Sequence, residues 1–123
     1  MTSKTTSATF FAAVITILTM TVPGHADSVG LASYYGKEMS GRRTANGERF
    51  NPAGLTAAHR SLPFGTKLKV TNLRNGKTVV VRVSDRGPFA RGRMIDLSLG
   101  AASAIGMVGS GTARVKIARL EPR

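Results

Sequence analysis

The sequence predicts a small, mainly β domain closed into a barrel, with one or two short helices. Three observations carry that expectation. Two strand-like runs, TKLKVTNL and KTVVVRVSD, flank Arg74, Asn75 and Gly76, and an Asn-Gly pair is a strong hairpin signal. Leu68 and Val70 share one face of the first run, and Val79, Val81 and Val83 share one face of the second. A further run near the C-terminus, TARVKIARL, alternates Ala113, Val115 and Ile117. Turn residues recur so often that the strands must be short, and many short strands in fewer than about 100 residues are best protected by closure.

In chain order, the first 26 residues stand apart from the rest. One Lys and a run of Ser and Thr precede an apolar stretch from about Ala8 to Val22, and Pro23, Gly24, His25 and Ala26 follow. This is the layout of a secretory signal peptide, with removal expected after Ala26. About 15 apolar residues broken by threonines are short for a membrane span. If retained, the segment would tether the domain outside the membrane. Residues 27–123 are therefore expected to form one domain, soluble in the periplasm and without a stable membrane anchor after cleavage.

Within that domain GLASYYG, Gly30 to Gly36, alternates as a first strand. Residues 37–54 are rich in Gly, Arg, Asn and Ser and read as a long surface loop, a length more often functional than idle. The hairpin follows. After the turn from Arg86 to Arg93, Met94, Ile95 and Leu97 form a brief apolar run, and Asp96 or Ser98 then caps a short helix over LGAASAIGM. Gly109 and Gly111 turn the chain into the closing strand.

The chain carries 18 Lys and Arg against 6 Asp and Glu, a formal net charge of +12, and no cysteine. Without disulfides an exported domain must rely on its own packing, which suits a bacterial periplasm, and without Cys it cannot be a lipoprotein. With His59 the single histidine beyond residue 26, a structural zinc site is not expected, and no metal or cofactor is implied. So basic a surface attracts polyanions. Nucleic acid is the usual one, but an exported protein rarely meets it, and anionic cell-wall polymer or the outer face of an anionic membrane fits the compartment better.

Six carboxylates in the mature chain invite inspection. Asp27 and Glu121 lie near its ends, and Glu38 reads as a solvated loop residue. Glu48 follows an Asn-Gly turn in TANGERF, which is more suggestive. Asp85, before Arg-Gly-Pro, is either a turn residue or part of a site. Asp96 reads as a helix cap, and His59 as a structural histidine or a site residue. Spacing alone does not place them together.

Taken in order, GLASYYG, GRRTANGERFN, TAAHRSLPFGTKLKVTNLRNGKTVVVRVSDRGPFARGRMIDLS and AASAIGM resemble the rare lipoprotein A (RlpA) family. The resemblance runs from Gly30 to about Leu120. It implies a six-stranded double-psi β-barrel and an endolytic peptidoglycan lytic transglycosylase. Such an enzyme cleaves the MurNAc-GlcNAc bond, leaves 1,6-anhydro-MurNAc ends, and prefers glycan stripped of stem peptides. Related barrels occur in expansins, family-45 endoglucanases and a membrane-bound lytic transglycosylase. The family's Glu of TANGE falls on Glu48, its His of TAAH on His59 and its Asp of DRGP on Asp85. Where the family reads GE-x-F-D this chain has Asn51. The lipobox Cys is absent, and the family's C-terminal peptidoglycan-binding repeat has no counterpart here, so septal targeting by it is not expected.

A lytic transglycosylase differs from ordinary glycosidases, which use two carboxylates. One acid protonates the leaving oxygen, and its conjugate base helps the sugar's own 6-hydroxyl close on C1. The resemblance implies Asp85 as that acid, with His59 and Glu48 positioning the hydroxyl or stabilising the charged transition state. Tyr35, Asn46, Asn51, Arg86 and Arg93 are the candidate substrate-binding residues, with the arginines directed outward to the glycan. Tyr34 or Tyr35 could face a sugar ring, with at least one used in core packing. The expected partner is a peptidoglycan strand, bound by a monomer, with no role for nucleic acid. The rival from another class is an expansin-like, non-catalytic polysaccharide-binding module, which Asn51 in place of Asp keeps open.

Overall fold

In a computed structural model, residues 27–121 are described, and the predicted signal peptide lies outside them. Six strands close on themselves. They are β1 (Ser28–Tyr34), β2 (Thr56–Ala58), β3 (Lys67–Asn72), β4 (Thr78–Asp85), β5 (Arg93–Leu97) and β6 (Ala113–Arg119), with one α-helix, α1 (Leu99–Ala104), between the last two. Around the barrel they run β1-β5-β2-β4-β3-β6, and β6 returns to β1. The β1–β5 and β2–β4 pairs are parallel, and the other four are antiparallel. Parallel neighbours need crossovers rather than hairpins. Two such crossovers in one closed sheet give the double-psi barrel that the motifs implied.

Alternation fills the interior. Leu68 and Val70 from β3, Val79, Val81 and Val83 from β4, and Val115 and Ile117 from β6 point inward, as their spacing predicts. Ala32, Ile95 and Leu97 complete the core, and one end is closed by Ala101 and Ala102 of α1 with Ile105 and Met107 just after it. The helix starts close against the turn after Asn51: a Cβ on Gly100 would stand 2.8 Å from the carbonyl oxygen of Ala53. Only glycine fits there.

Four local features differ from expectation. β1 begins two residues earlier, at Ser28. The three residues of β2 were not legible as a strand, because Thr-Ala-Ala shows no alternation; pairing with β4 on one side and β5 on the other holds them extended. The hairpin is longer than the Asn-Gly pair alone suggests. Asn72 bends it by accepting from the Arg74 N–H at 3.0 Å while its Nδ2 donates to the Ile105 carbonyl at 2.8 Å, so β4 resumes only at Thr78. Finally, Asp96 is not the helix cap. It lies within β5, and Ser98 is the cap: its Oγ accepts from Ala101 N at 3.3 Å and donates to Gly54 O at 2.6 Å.

Candidate active site

The pairing of β2 sets the site. Ala58 is the register partner of Asp85 on one side and of Asp96 on the other, so the two aspartates flank a single buried residue. Tyr35 follows β1 directly, and its N–H bonds Leu97 O at 2.9 Å, which extends the β1–β5 pairing toward the same end. Its ring packs edge-on against Phe50, with centroids 5.3 Å apart, and its hydroxyl donates to Asp85 Oδ2 at 3.2 Å.

Asp85 Oδ1 accepts two backbone N–H groups, from Ala45 and Arg86, each at 2.9 Å. The first ties the long loop to the end of β4; the second is the turn chemistry read in Asp-Arg-Gly. Asp85 is thus a turn residue through Oδ1, while Oδ2 faces Tyr35. Burial first, then the Asp85 and Asp96 carboxylates, push the Tyr35 hydroxyl far above the ordinary tyrosine range. Tyr35 keeps its proton and donates it.

His59 is half-buried next to Asp85, whose carbonyl accepts the His59 N–H at 3.2 Å. Its Nδ1 accepts from the N–H groups of Ser61 and Leu62, each at 3.2 Å, so the ring proton belongs on Nε2. Burial, then the Arg86 and Arg60 guanidiniums, hold His59 below the ordinary histidine value. It is a neutral donor near pH 7.

Glu48 stands on the loop beside β4. Arg82 clasps it with two hydrogen bonds, at 2.9 and 3.1 Å, and this contact, with a hydrogen bond from the Asn46 side, holds its carboxyl below the usual carboxylate range. Glu48 is an anion and not a proton donor. Asn46 organises the loop, since its Oδ1 accepts from Thr44 Oγ1 at 2.5 Å and from Glu48 N at 3.2 Å, while its own N–H bonds Ser84 O. Glu48, Asn51, Arg82 and Thr56 line a surface depression of about 440 Å³. Asn51 Oδ1 accepts the Ala53 N–H at 3.0 Å, an Asx turn that an Asp would make equally well. The change from the family's Asp is structurally neutral in that respect.

The arginines are more engaged than an outward orientation implies. Arg86 donates to the carbonyls of His59 and Leu62 and lies over Phe64, 4.0 Å from its centroid. Arg93 Nη1 donates to Ser33 Oγ at 3.2 Å. Ser33 Oγ in turn donates to Asp96, so Asp96, Ser33 and Arg93 form a polar group next to Tyr35. The structure thus sets the Tyr35 hydroxyl and the His59 backbone against Asp85, ties the loop to β4 through Ala45 on Asp85 and Asn46 on Ser84, and keeps Glu48 and Asn51 on a surface depression. Ser33 and the Glu48 partner Arg82 were not singled out from the sequence, and Asp96 was read there as a helix cap. For Ser33 a signal existed: it shares a strand face with Tyr35, two residues on.

The profile of the family described as lytic transglycolase matches residues 27–117. "Probable endolytic peptidoglycan transglycosylase RlpA" of Nostoc sp. is 66% identical over 90 residues, which cover 72% of this chain and 24% of that protein. "Endolytic peptidoglycan transglycosylase RlpA" of Pseudomonas aeruginosa is 53% identical over 94 residues, covering 76% and 28%. The chain spans about a quarter of the length of these curated relatives. Among solved structures, an expansin of Clavibacter michiganensis superposes with a TM-score of 0.64 at 23% identity, over 80% of this chain and 52% of that one. A Streptomyces papain inhibitor does so with a TM-score of 0.63 at 20% identity, over 78% and 96%. At such identities the two structures share the fold alone. With its barrel closed in double-psi order and its motifs matched from residue 27 to residue 117, the chain belongs to the lytic transglycolase family.

Proposed function

We propose that the protein is an endolytic peptidoglycan lytic transglycosylase, cleaving the MurNAc-GlcNAc bond and leaving 1,6-anhydro-MurNAc ends. The observation that carries this reading is Asp85, a carboxyl at the end of a barrel strand, fixed by three donors and set beside a neutral histidine. The names of the curated relatives, which say peptidoglycan transglycosylase, support the substrate class.

In this mechanism Oδ2 of protonated Asp85 gives its proton to the glycosidic oxygen as the C1–O bond breaks, and positive charge develops at C1. The donors on Asp85 then face a carboxylate, and preorganised donors lower the cost of forming that charge. The 6-hydroxyl of the same MurNAc attacks C1, and its proton passes to Asp85, restoring the acid. No water is consumed. His59 Nε2–H orients the 6-hydroxyl, while the Glu48 anion, held by Arg82, binds glycan along the depression with Asn51. Asn46 keeps the loop in register, and Tyr35, Arg86 and Arg93 fix the walls. Residues 1–26 direct export, and the enzyme works on cell wall outside the cytoplasm, soluble in the periplasm, with a preference for peptide-stripped glycan.

The test is Asp85→Asn. The amide keeps the one oxygen that accepts both backbone N–H groups, and its Nδ2 can donate to the Tyr35 hydroxyl, so the variant is expected to melt within a few degrees of the parent, while anhydro-ended products fall below detection by mass spectrometry. If parent and variant both bind glycan and neither yields such ends, the protein is an expansin-like binding module instead.

A further inference from the structure

Phe89 is the most exposed large apolar residue among those described, with 84% of its surface open to solvent. An isolated exposed hydrophobe needs no explanation on its own. What sets Phe89 apart is the turn beneath it. Arg60 donates to three carbonyls of that turn, to Pro88 O at 2.8 Å, Ala90 O at 3.3 Å and Arg93 O at 2.7 Å. Arg86, at its start, is fixed to His59 O and Leu62 O and stacked on Phe64. Two guanidiniums thus hold an eight-residue surface turn from both ends, and Pro88 is buried within it. Gly87 has φ +123, and a Cβ there would meet the Phe89 ring at 3.5 Å, so the ring leans on Gly87, two residues from Asp85. A loop this well pinned, with its one aromatic ring left in solvent, is a preorganised contact surface.

We propose that Phe89 is a stacking platform for one sugar ring of the glycan next to the bond that Asp85 attacks. This rests on the reading of Asp85 as the site's acid. The position favours a sugar over an apolar partner. Phe64, the other exposed aromatic nearby, has Arg86 stacked over one face of its ring, whereas the Phe89 ring carries no such partner among the described residues. A single aromatic face beside polar groups is what the weakly apolar C–H face of a pyranose needs. Tyr34 and Tyr35, the aromatics that the sequence pointed to, are committed elsewhere: Tyr34 bonds Val108 O and packs on the core, and Tyr35 bonds Asp85.

The experiment compares Phe89→Ala and Phe89→Tyr with the parent on peptide-stripped glycan strands, measuring kcat, KM and thermal stability. Phe89→Ala is expected to raise KM about tenfold, the size of one aromatic contact, with kcat within about twofold because the acid is untouched. Phe89→Tyr should restore KM, since it keeps the ring, and the exposed position predicts unchanged melting. The same substitution placed in the Asp85→Asn protein should weaken glycan binding, read by calorimetry without any turnover. If no variant makes anhydro ends yet Phe89→Ala still weakens binding, the platform stands and the lytic reading fails. An unchanged KM and affinity in Phe89→Ala overturns the platform. So does an equal loss in Phe89→Tyr, which would mark a role in the shape of the turn.

Discussion

Asp96 and Ser98 stand two residues apart, and which of them caps the helix is informative. Either could cap a helix beginning at Leu99 by sequence, because both side chains accept hydrogen bonds. The strand settles which does. β5 continues through Leu97, so Asp96 is held in the sheet with its carboxylate on Ser33, and Ser98 is the first residue free to turn. Ser98 is fully buried, accepts from Ala101 N and Thr56 N, and donates to Gly54 O. Ser98→Ala removes all three and is expected to cost about 2 kcal/mol, the upper end for a lost cap, as measured by urea unfolding. Asn51 gives the complementary lesson. It cannot exchange a proton as a carboxyl can, but its Oδ1 makes the turn that an Asp would make.

At the scale of elements, the strands were legible where alternation or a turn signal was strong. β3, β4 and β6 fall where their apolar spacing puts them, and the Asn-Gly pair marks the hairpin between the first two. β2 was invisible because its extended form is imposed by neighbours rather than by its own side chains. The site shared that fate in part: Glu48, His59 and Asp85 came from matching motifs, whereas the Asp96–Ser33–Arg93 group depends on a parallel pairing that no local pattern announces. β2 leads directly into His59, and the ring's environment predicts a pH effect. In the unfolded chain a histidine takes up a proton below about pH 6.5, but the folded ring, buried and near Arg86 and Arg60, resists it to lower pH. The unfolded state then binds more protons, so stability falls as pH drops through that value. Glu48, held low by Arg82, contributes stability that is lost only below the ordinary glutamate range near about 4.3. Melting temperatures taken from pH 7.5 to pH 5.5 should therefore decline, and His59→Gln should flatten the curve over that interval.

For the molecule as a whole, charge is distributed unevenly. The three neighbouring strands β3, β4 and β6 carry Lys67, Lys69, Arg82, Arg114, Lys116 and Arg119, with Asp85 at the tip of β4 as their only acid. Because the barrel is closed, its six strands leave no free sheet edge among the described residues, and a polyanion would meet this surface through its side chains. Binding to insoluble cell wall should accordingly weaken as salt rises from 0.1 to 1 M, where the screening length falls from about 10 to 3 Å, as read by sedimentation. Salt-independent binding would mean that recognition lies in the sugar contacts alone. The proposed closure on C1 by the sugar's own hydroxyl, in place of attack by water, is tested by digesting peptide-stripped peptidoglycan in water enriched with heavy oxygen and weighing the new chain ends. Anhydro ends that carry no label and vanish in Asp85→Asn are expected. New reducing ends that carry the heavy oxygen would show that water, not the 6-hydroxyl, closes on C1.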